Sequence, residues 1–501
     1  MQKIGFDGDK YIRIQREKIT ERIESLGGKL YLEFGGKLFD DQHAASVLPG
    51  YRPNGKLEVL KTFQEDAEII LCISAKDIES NKMRSDLGIT YEMDVLRHMD
   101  KLRAMGFHIA AVVITLFTGQ NAAFKFKNML ENRGENVYIH RPTLGYPTDV
   151  DIIVSDVGYG ANPYVETTRP LVIVTAPGPG SGKLATCLSQ LYHEYRLGKK
   201  AGYAKFETFP IWNLPLKHPV NMAYEAATAD LKDVNMIDPF HMEAYGVSTV
   251  NYNRDVEVFP VVRTILSKIM GDDSRVYRSP TDMGVNMVGF CISDEEAVCE
   301  ASRQEIIRRY YRARVDAKSG KKSSEEAQRI LLLMNEMGIR AEDRRVVGPA
   351  LKRAASIDPT GTDGQVVSLE LPDGTIVTGK SHPMMNATAS VLINAVKHEA
   401  GIADEIHLIS PVILEPMVNM KKNILHSNFP VLNAEEVLSA MSICAATNPT
   451  VAYAITKLPV LEGCDAHSSS IISAPDASTY KKLGIKITCE PEYPTKNLYF
   501  R

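Results

Sequence analysis

Residues 171–183 read LVIVTAPGPGSGK, and this stretch decides the fold that the sequence predicts. A short apolar strand, rich in β-branched residues, runs into a glycine-rich loop, and a helical pattern follows from about Leu184 to Arg196. Parallel strands need a crossover connection, and a strand, a tight glycine turn and a helix in that order supply one. The stretch therefore predicts one unit of a parallel α/β sheet.

Further strand-like segments precede this stretch. They are short, apolar and rich in β-branched residues, and they cover residues 30–34, 68–74, 107–116, 137–140 and 151–155. Helical patterns separate several of them, as at residues 89–105 and 121–131. Apolar strands separated by amphipathic helices are typical of a parallel sheet that is covered on both faces. We therefore predict a P-loop-like or Rossmann-like, doubly wound α/β domain over residues 1–220.

Two further regions complete the predicted organisation. Residues 221–355 carry strong helix signals and polar loops, and they indicate a helix-rich middle domain. Residues 356–501 return to mixed α/β patterning, with a hairpin turned at residues 372–374. Later elements are predicted at residues 381–400 and 433–446 as helices and at 485–489 as a strand. The predicted fold class is multidomain α/β, with a mostly parallel N-terminal sheet.

Composition and charge exclude several classes of protein. The chain has 501 residues, 44% of them apolar, and a net charge of -4, which is typical of a globular protein and not of a nucleic-acid-binding one. The longest apolar run, residues 108–117, is about half of the ~20 residues that a membrane helix needs. The N-terminus lacks a secretory signal pattern, and the cysteines are scattered without metal-binding or CxxC spacing. We expect a cytoplasmic protein.

The loop between strand and helix is the strongest candidate for a ligand site. Glycines let backbone N–H groups approach an anion, a helix N-terminus adds partial positive charge, and a lysine can reach a terminal phosphate. The predicted ligand-binding residues are Gly178, Gly180, Ser181, Gly182 and Lys183. They indicate a small phosphorylated ligand, with a nucleotide such as ATP as the candidate cofactor. A purely structural glycine turn is the alternative.

The match of this loop to a Walker loop is incomplete. Pro177 and Leu184 occupy positions at which that loop has Gly and Ser or Thr. Without a hydroxyl directly after the lysine, a Mg²⁺ ion would need Ser181 or Thr186 as its ligand. The sequence therefore leaves metal binding open.

Other turns at the same predicted edge of the sheet also contain glycine. Gly35, Gly36 and Lys37 follow the first strand and are further candidates for ligand contact. Residues 152–156 read IIVSD and resemble a Walker B strand, in which Asp156 would hold Mg²⁺. An ordinary strand followed by a turn-forming aspartate is the alternative.

A polar run over residues 206–255, together with the segment 279–286, supplies the candidate catalytic residues. Its segments are dense in Asp, His, Asn and Arg and are interleaved with proline and aromatic residues, as is typical of ordered functional loops. Asp238 and His241 form a candidate acid–base or metal pair. Arg254 and Asp282 are the further candidate participants.

A second candidate site lies near the C-terminus. Cys464 and His467 are three residues apart, which allows a thiol–imidazole pair if the ring faces the sulfur. A structural turn with a partly buried cysteine is the alternative.

Charge is distributed unevenly along the chain. Residues 303–353 contain fourteen Lys or Arg against seven Asp or Glu. A solvated helical face fits this excess, and so does a surface for an anionic substrate or partner.

Several long strings identify a family resemblance. They include LYLEFGGKLFDD, RSDLGITYEMD, TAPGPGSGK, FPIWNLPLKHPVN, SPTDMGVN and GCDAHSS, and they extend over nearly the whole chain. With these strings the chain resembles the bacterial uncharacterised protein family 0371. The resemblance implies a multidomain α/β architecture and a cytosolic setting. Some members carry a provisional label as ATP-dependent peptidases, yet this chain has no HExxH, no GxSxG and no complete Walker loop.

Three functions follow from these patterns. The first is a cytoplasmic enzyme, a hydrolase or transferase, that binds a nucleotide or another phosphorylated metabolite at residues 178–183. The second is a thiol-dependent hydrolase or peptidase at Cys464 and His467. The third is a noncatalytic, oligomeric metabolite-binding protein. We expect a homo-oligomer without nucleic-acid or membrane partners.

Overall fold

The chain folds into two compact units. The computed structural model describes residues 3–39, 41–84, 87–357 and 364–495. The first unit comprises residues 4–302, and the second comprises residues 303–501 with residues 1–3. The predicted breaks near residues 220 and 355 do not coincide with this division, and the three-domain organisation stays a prediction.

The first unit is built on a parallel sheet of six strands. Its strands, with the short ones that flank it, are β1 (Leu30–Phe34), β2 (Ala67–Ser74), β3 (Met83–Arg84), β4 (Ile89–Thr90), β5 (His108–Thr115), β6 (Val137–Ile139), β7 (Leu171–Thr175), β8 (Gly202–Phe206), β9 (Asn235–Ile237) and β10 (Val250–Tyr252). The order in the main sheet is β6-β5-β2-β7-β1-β8, with all neighbours parallel. The predicted fold class is confirmed.

Helices cover this sheet and complete the first unit. They are α1 (Gly8–Ser25), α2 (Gln42–Val47), α3 (Gly55–Lys61), α4 (Ala75–Glu79), α5 (Tyr91–Ala104), α6 (Asn121–Glu131), α7 (Val150–Ile153), α8 (Lys183–Arg196), α9 (Pro219–Ala227), α10 (Pro239–Tyr245), α11 (Asn253–Met270) and α12 (Pro280–Met283), followed by α13 (Glu295–Lys318). Strands β1, β2 and β7 are buried along their full length. They read as continuous apolar runs because both faces of the sheet are covered.

The strand order places a topological switch point of the sheet at the end of β7. The chain leaves β7 towards β8, whereas it leaves both neighbours of β7, the strands β1 and β2, in the opposite direction. Right-handed crossovers that run in opposite directions lie on opposite faces of the sheet, so their loops diverge at this point. In open α/β sheets, ligands bind in the crevice at such a switch point. The glycine-rich loop, residues 176–182, occupies it.

The predicted strand over residues 151–155 is wrong, because this segment forms the short helix α7. Asp149 caps that helix by accepting a hydrogen bond from the backbone N–H of Ile152. A short apolar run does not distinguish a strand from a buried helix, and the cap decides. Asp156 lies in the following turn, exposed, and accepts a hydrogen bond of 2.6 Å from the Tyr192 hydroxyl. It therefore does not end a Walker B strand.

The second unit has a four-stranded mixed sheet and further helices. Its sheet runs in the order β12-β11-β13-β14. The elements are β11 (Val366–Glu370), β12 (Ile376–Lys380), β13 (Asp465–Ser468), β14 (Lys486–Cys489), α14 (Glu325–Glu336), α15 (Val347–Ala355), α16 (Ala387–Glu399), α17 (Pro411–Asn419), α18 (Ala434–Ala445), α19 (Pro449–Ile455) and α20 (Ala474–Lys482). The predicted hairpin is confirmed as β11 and β12, which pair antiparallel.

Local capping signals in the second unit are also borne out. Asn433 and Glu436 form a reciprocal capping box at the start of α18. Gly374, in the hairpin turn, has a φ of 86°, a backbone conformation that favours glycine. Among the described residues, no helix is both long enough and apolar enough to cross a membrane.

Candidate functional site

The glycine-rich loop ends at the N-terminus of α8, directly after β7. Gly182 is the N-cap residue and has a φ of 78°, and α8 runs for 14 residues from Lys183. The Thr115 hydroxyl, at the end of β5, donates a 2.8 Å hydrogen bond to the carbonyl oxygen of Ser181. The loop therefore folds back over the carboxyl ends of the neighbouring strands, where the sequence places the ligand site.

Two of the loop glycines are required by close packing. A methyl group at Gly178 would overlap the hydroxyl of Tyr91, at the start of α5. A methyl group at Gly182 would lie 2.8 Å from the Thr115 side chain. Gly180 has a φ of 72°, and a methyl group added there would meet no atom within 4 Å. Only its backbone conformation therefore requires glycine. The structural interpretation of the loop therefore accounts for Gly178 and Gly182 by packing and for Gly180 by its backbone conformation.

The loop presents hydrogen-bond donors that the protein leaves unused. Within the described residues, the backbone N–H groups of Gly180 and Gly182 donate to no other protein group. The ammonium group of Lys183 is half-buried and forms no ion pair there either. Burial raises the pKa of the nearby Cys72 thiol to about 12, and the positive charge of Lys183 opposes that rise. These donors fit an anion.

The hydroxyls proposed as substitutes for the Walker magnesium ligand are already engaged. Ser181 is buried and its hydroxyl donates to the carbonyl oxygen of Gly178 at 2.7 Å. Thr186 is fully buried and donates to the carbonyl oxygen of Gly182 at 3.0 Å. Both side chains thus stabilise the loop and the first turn of α8, and the loop contributes backbone and lysine donors.

The predicted contacts after β1 lie at the same edge of the sheet. Gly35 packs so closely on the Glu207 side chain that a methyl group would overlap it. Gly36 has a φ of 69° and would place a methyl group 3.3 Å from the ammonium of Lys56. Lys37 follows directly in the chain and is exposed. Gly35 therefore makes room for Glu207, which follows β8.

The structure reveals a group of charged residues at this edge that the sequence prediction missed. Lys205 lies between two carboxylates, with its ammonium 2.7 Å from Asp255 and 3.0 Å from Glu207. Glu33 is paired with Lys205 in the sheet register and accepts a 2.7 Å hydrogen bond from the hydroxyl of Tyr203. We call Glu33, Lys205, Glu207 and Asp255 the carboxylate cluster. Its sequence signal is a charged residue inside a buried strand, as in LYLEF.

Burial and neighbouring charges shift the pKa values in the carboxylate cluster. Burial raises the pKa of Glu207, the charge of Lys205 opposes the rise, and the charge of Asp255 adds to it. For Lys205, burial lowers the pKa, but the three carboxylates outweigh it and raise the pKa above its ordinary value. Lys205 therefore stays charged, and Glu207 is the group of the cluster best suited to hold a proton.

The cluster and the glycine-rich loop are electrostatic neighbours. Both Glu33 and Lys183 influence the pKa of the buried Cys187 thiol, which burial raises first of all. They act on Cys72 in the same way. Anion donors and titratable carboxylates therefore lie within electrostatic reach of the same part of the sheet edge.

The predicted catalytic pair, Asp238 and His241, belongs to a set of helix caps. Asp238 is fully buried, and one of its carboxylate oxygens accepts 3.0 Å hydrogen bonds from the backbone N–H groups of Phe240 and His241. The other oxygen accepts a 2.7 Å bond from the Thr281 hydroxyl. Through these bonds Asp238 links α10 to α12. Both of its carboxylate oxygens are used, and neither is available to a ligand.

His241 and Asp282 lie next to the same cap. The Ser279 hydroxyl accepts a hydrogen bond from the backbone N–H of Asp282 at 3.1 Å and is also hydrogen-bonded to Nδ1 of His241 at 2.8 Å. Ser279 is fully buried, which closes it to a substrate. Arg254 lies on the first turn of α11, where it pairs with Asp233 at 3.2 Å. The structure thus connects three of the four candidates: Ser279 bridges His241 and Asp282, and the backbone of His241 is bonded to Asp238.

Cys464 and His467 do not form the thiol–imidazole pair that their spacing in the sequence allows. The sulfur of Cys464 lies 3.9 Å from the carbonyl oxygen of Val460, whereas Nδ1 of His467 lies 2.8 Å from the Thr488 hydroxyl on β14. Burial raises the pKa of Cys464 to about 11, which keeps the thiol protonated at neutral pH. This geometry gives the thiol-hydrolase hypothesis no support.

One group of three potential metal ligands lies close together in the described part of the chain. His218, Glu295 and Cys299 place their ligand atoms within 4.8 Å of one another. However, Nδ1 of His218 accepts a hydrogen bond from the backbone N–H of Val220, so Nε2 carries the proton and donates to Glu295 at 2.5 Å. A metal at Nε2 would break both bonds, and the group is already satisfied without one.

The fold and the site together define a doubly wound α/β protein with a P-loop-like turn. Two family models match the chain. Its residues 4–338 match the model described as "Domain of unknown function DUF1846, N-terminal", and residues 342–499 match the corresponding C-terminal model. The chain belongs to this family.

Close relatives span the whole chain. A UPF0371 protein of Clostridium botulinum (strain ATCC 19397 / Type A) is 58% identical over 501 residues, which cover 99% of this chain and 99% of that protein. A UPF0371 protein of Clostridium botulinum (strain Eklund 17B / Type B) is 56% identical with the same coverage. The family resemblance predicted from the sequence strings is confirmed, and these names assign no activity.

Proposed function

We propose that the first unit binds a nucleotide or another phosphorylated metabolite at the carboxyl edge of its sheet. The observation that carries this proposal is the position of three unused donors, the N–H groups of Gly180 and Gly182 and the ammonium of Lys183, in the crevice after β7. Phosphate groups bind where backbone amides and a helix N-terminus converge. The phosphate would lie on the loop, with Lys183 against its charge.

The carboxylate cluster supports an enzyme rather than a passive binding protein. Glu207 has a raised pKa beside the fixed charge of Lys205, an arrangement suited to donating or accepting a proton near a bound ligand. Perturbed carboxylates in a cleft are frequent in active sites. The reaction class that fits is hydrolysis or transfer at a phosphorylated substrate, with Glu207 as the proton-transfer group.

Ligand-induced thermal stabilisation tests this proposal. ATP, GTP and a sugar phosphate are each added to the full chain, and the unfolding temperature is measured. A ligand at about 100 times its dissociation constant stabilises by about 2.7 kcal/mol, which corresponds to a shift of a few degrees. We expect a shift for wild type and a much smaller one for Lys183→Ala.

The matched control is Lys125→Ala, an exposed lysine on α6 of the same unit. It should keep the full ligand-induced shift. If no phosphorylated compound shifts the wild type, or if Lys183→Ala responds as wild type does, the proposed site is wrong. Glu207→Gln should retain the shift, because Glu207 acts on the reaction and not on the phosphate.

A further inference from the structure

The second unit contains a group of basic side chains around one fully buried arginine. Arg308 lies on α13, Arg344 lies ahead of α15, and Lys486 begins β14. We call these three residues the basic cluster. It falls partly within the excess of basic residues that the sequence shows over 303–353. It has no part in the function proposed for the first unit.

Arg344 is fully buried and only partly satisfied. Its Nε donates to the Thr488 hydroxyl at 3.2 Å, and one terminal nitrogen donates to Asp465 at 3.0 Å and to the carbonyl oxygen of Lys486 at 2.5 Å. The other terminal nitrogen, Nη1, is buried without a hydrogen-bond partner. A buried guanidinium donor without a partner is costly, and it calls for a water molecule or an ion beside it.

Lys486 is a second donor without a partner. Its ammonium forms no ion pair or hydrogen bond within the described residues, although the residue is half-buried. Burial lowers its pKa, and the charges of Arg308 and Arg344 lower it further. Burial likewise lowers the pKa of Arg344, and Arg308 adds to the effect. The neighbouring cations therefore act on one another at short range.

The acids beside the basic cluster are shared among several cations. The basic cluster faces two carboxylates, Glu305 and Asp465. Glu305 is shared further, because Arg308 and Arg309 both donate to it at 2.8 Å. Asp465 receives Arg344 at 3.0 Å and Arg308 at 3.6 Å. The two acids thus pair with Arg308, Arg309 and Arg344, and neither pairs with the ammonium of Lys486.

We infer that the basic cluster is a binding site for an oxyanion, a phosphoryl group, whose oxygens accept hydrogen bonds from Nη1 of Arg344 and from the ammonium of Lys486, beside Arg308. Planar guanidinium groups match the oxygens of a phosphoryl group, and a lysine adds a point charge.

Calorimetric titration with inorganic phosphate tests this site. The full chain carries Lys183→Ala, which removes the donor proposed for the first unit, and is titrated at about pH 8, where phosphate is doubly charged. We expect saturable binding of one phosphate per chain. Lys486→Gln, added to this protein, should weaken it by roughly ten-fold or more, because one charge-assisted contact is lost. Lys486 is half-buried and is bonded to no side chain in the described ranges, so this variant should fold.

Lys482→Gln is the control, since Lys482 is an exposed lysine of α20 in the same unit. It should bind phosphate as the parent does. The inference is wrong if the Lys183→Ala protein binds no phosphate, if Lys486→Gln binds it unchanged, or if acetate binds as tightly as phosphate. ATP-induced stabilisation of the wild type is read separately, so failure here leaves the proposal for the first unit intact.

Discussion

At the scale of single residues, the glycine-rich loop is shaped by three different requirements. Gly178 needs space beside Tyr91, Gly180 needs a positive φ, and Gly182 needs both a positive φ and space beside Thr115. The sequence GPGSG shows none of these differences, because they depend on side chains from α5 and β5. Each requirement predicts a different cost of substitution.

Alanine substitutions in this loop should destabilise the first unit in a defined order. Gly180→Ala should cost about 1–2 kcal/mol for the left-handed backbone alone. Gly178→Ala should cost about 1–3 kcal/mol through overlap with Tyr91. Gly182→Ala combines both effects and should cost the most. Trp212, the only tryptophan in the chain, lies in the first unit, so its fluorescence during urea unfolding measures these losses. Equal losses at all three positions would contradict this account.

At the scale of secondary-structure elements, Asp238 links α10 to α12. Asp238→Ala removes the cap of α10 together with the bonds to Thr281. It also leaves the backbone N–H groups of Phe240 and His241, at the start of α10, without their acceptor. We expect a loss of about 3 kcal/mol or more in the free energy of unfolding, measured by urea denaturation and Trp212 fluorescence.

The control for this prediction is Asp100→Ala, on the exposed side of α5. It should change stability by no more than about 0.5 kcal/mol. If Asp238→Ala is as stable as Asp100→Ala, Asp238 is not a structural cap. The prediction that Asp238 is catalytic would then be the better explanation of its position. Ligand-induced stabilisation of the folded Asp238→Ala protein should remain, because the phosphate donors lie on another loop.

Elements also show where sequence patterns are reliable. The strands β1, β2, β5 and β7 and the helices α5 and α6 follow the predicted pattern closely, because burial on both faces leaves a continuous apolar signal. The segment 151–155 has the same signal but forms α7, since Asp149 supplies a helix cap ahead of it. The short pair β9 and β10 was missed because three-residue strands give too little alternation to recognise.

At the scale of the whole molecule, buried histidines couple stability of the first unit to pH. Burial lowers the pKa of both His98 and His140 to about 4, against 6.5 for an exposed ring. Asp94 opposes this shift at His98, while Arg97 and other cations reinforce it. In the unfolded chain both rings bind a proton below about pH 6.5. The unfolded state therefore gains protons first as pH falls, and stability is lost between about pH 6.5 and pH 4.

Each of these histidines should reduce the free energy of unfolding by about 2 kcal/mol between neutral pH and pH 5. His140→Gln removes one titrating ring and should flatten this decline, as measured by urea unfolding at both pH values. His108→Gln, an exposed position at the start of β5, should leave the decline unchanged. A decline in His140→Gln as steep as that of wild type would show that other groups cause it.

The candidate site was only partly visible in the sequence. The loop at residues 178–183 was identified, because a strand, a glycine turn and a helix are adjacent in the chain. The carboxylate cluster was not, since its members come from β1, β8 and α11 and meet only when β8 pairs with β1. The prediction chose Arg254, whereas its neighbour Asp255 is the residue that faces Lys205.

The sequence by itself determined the class of fold, the parallel sheet of the first unit, the glycine-rich loop and the family. These depend on local periodicity and on contiguous motifs, which one chain segment contains in full. Only the tertiary structure decided that Asp238 is a cap, that Glu207 lies beside Lys205, and that Arg344 retains a buried donor. Such roles depend on which distant side chains share a buried space, and burial sets the charge state and the free hydrogen bonds of each group.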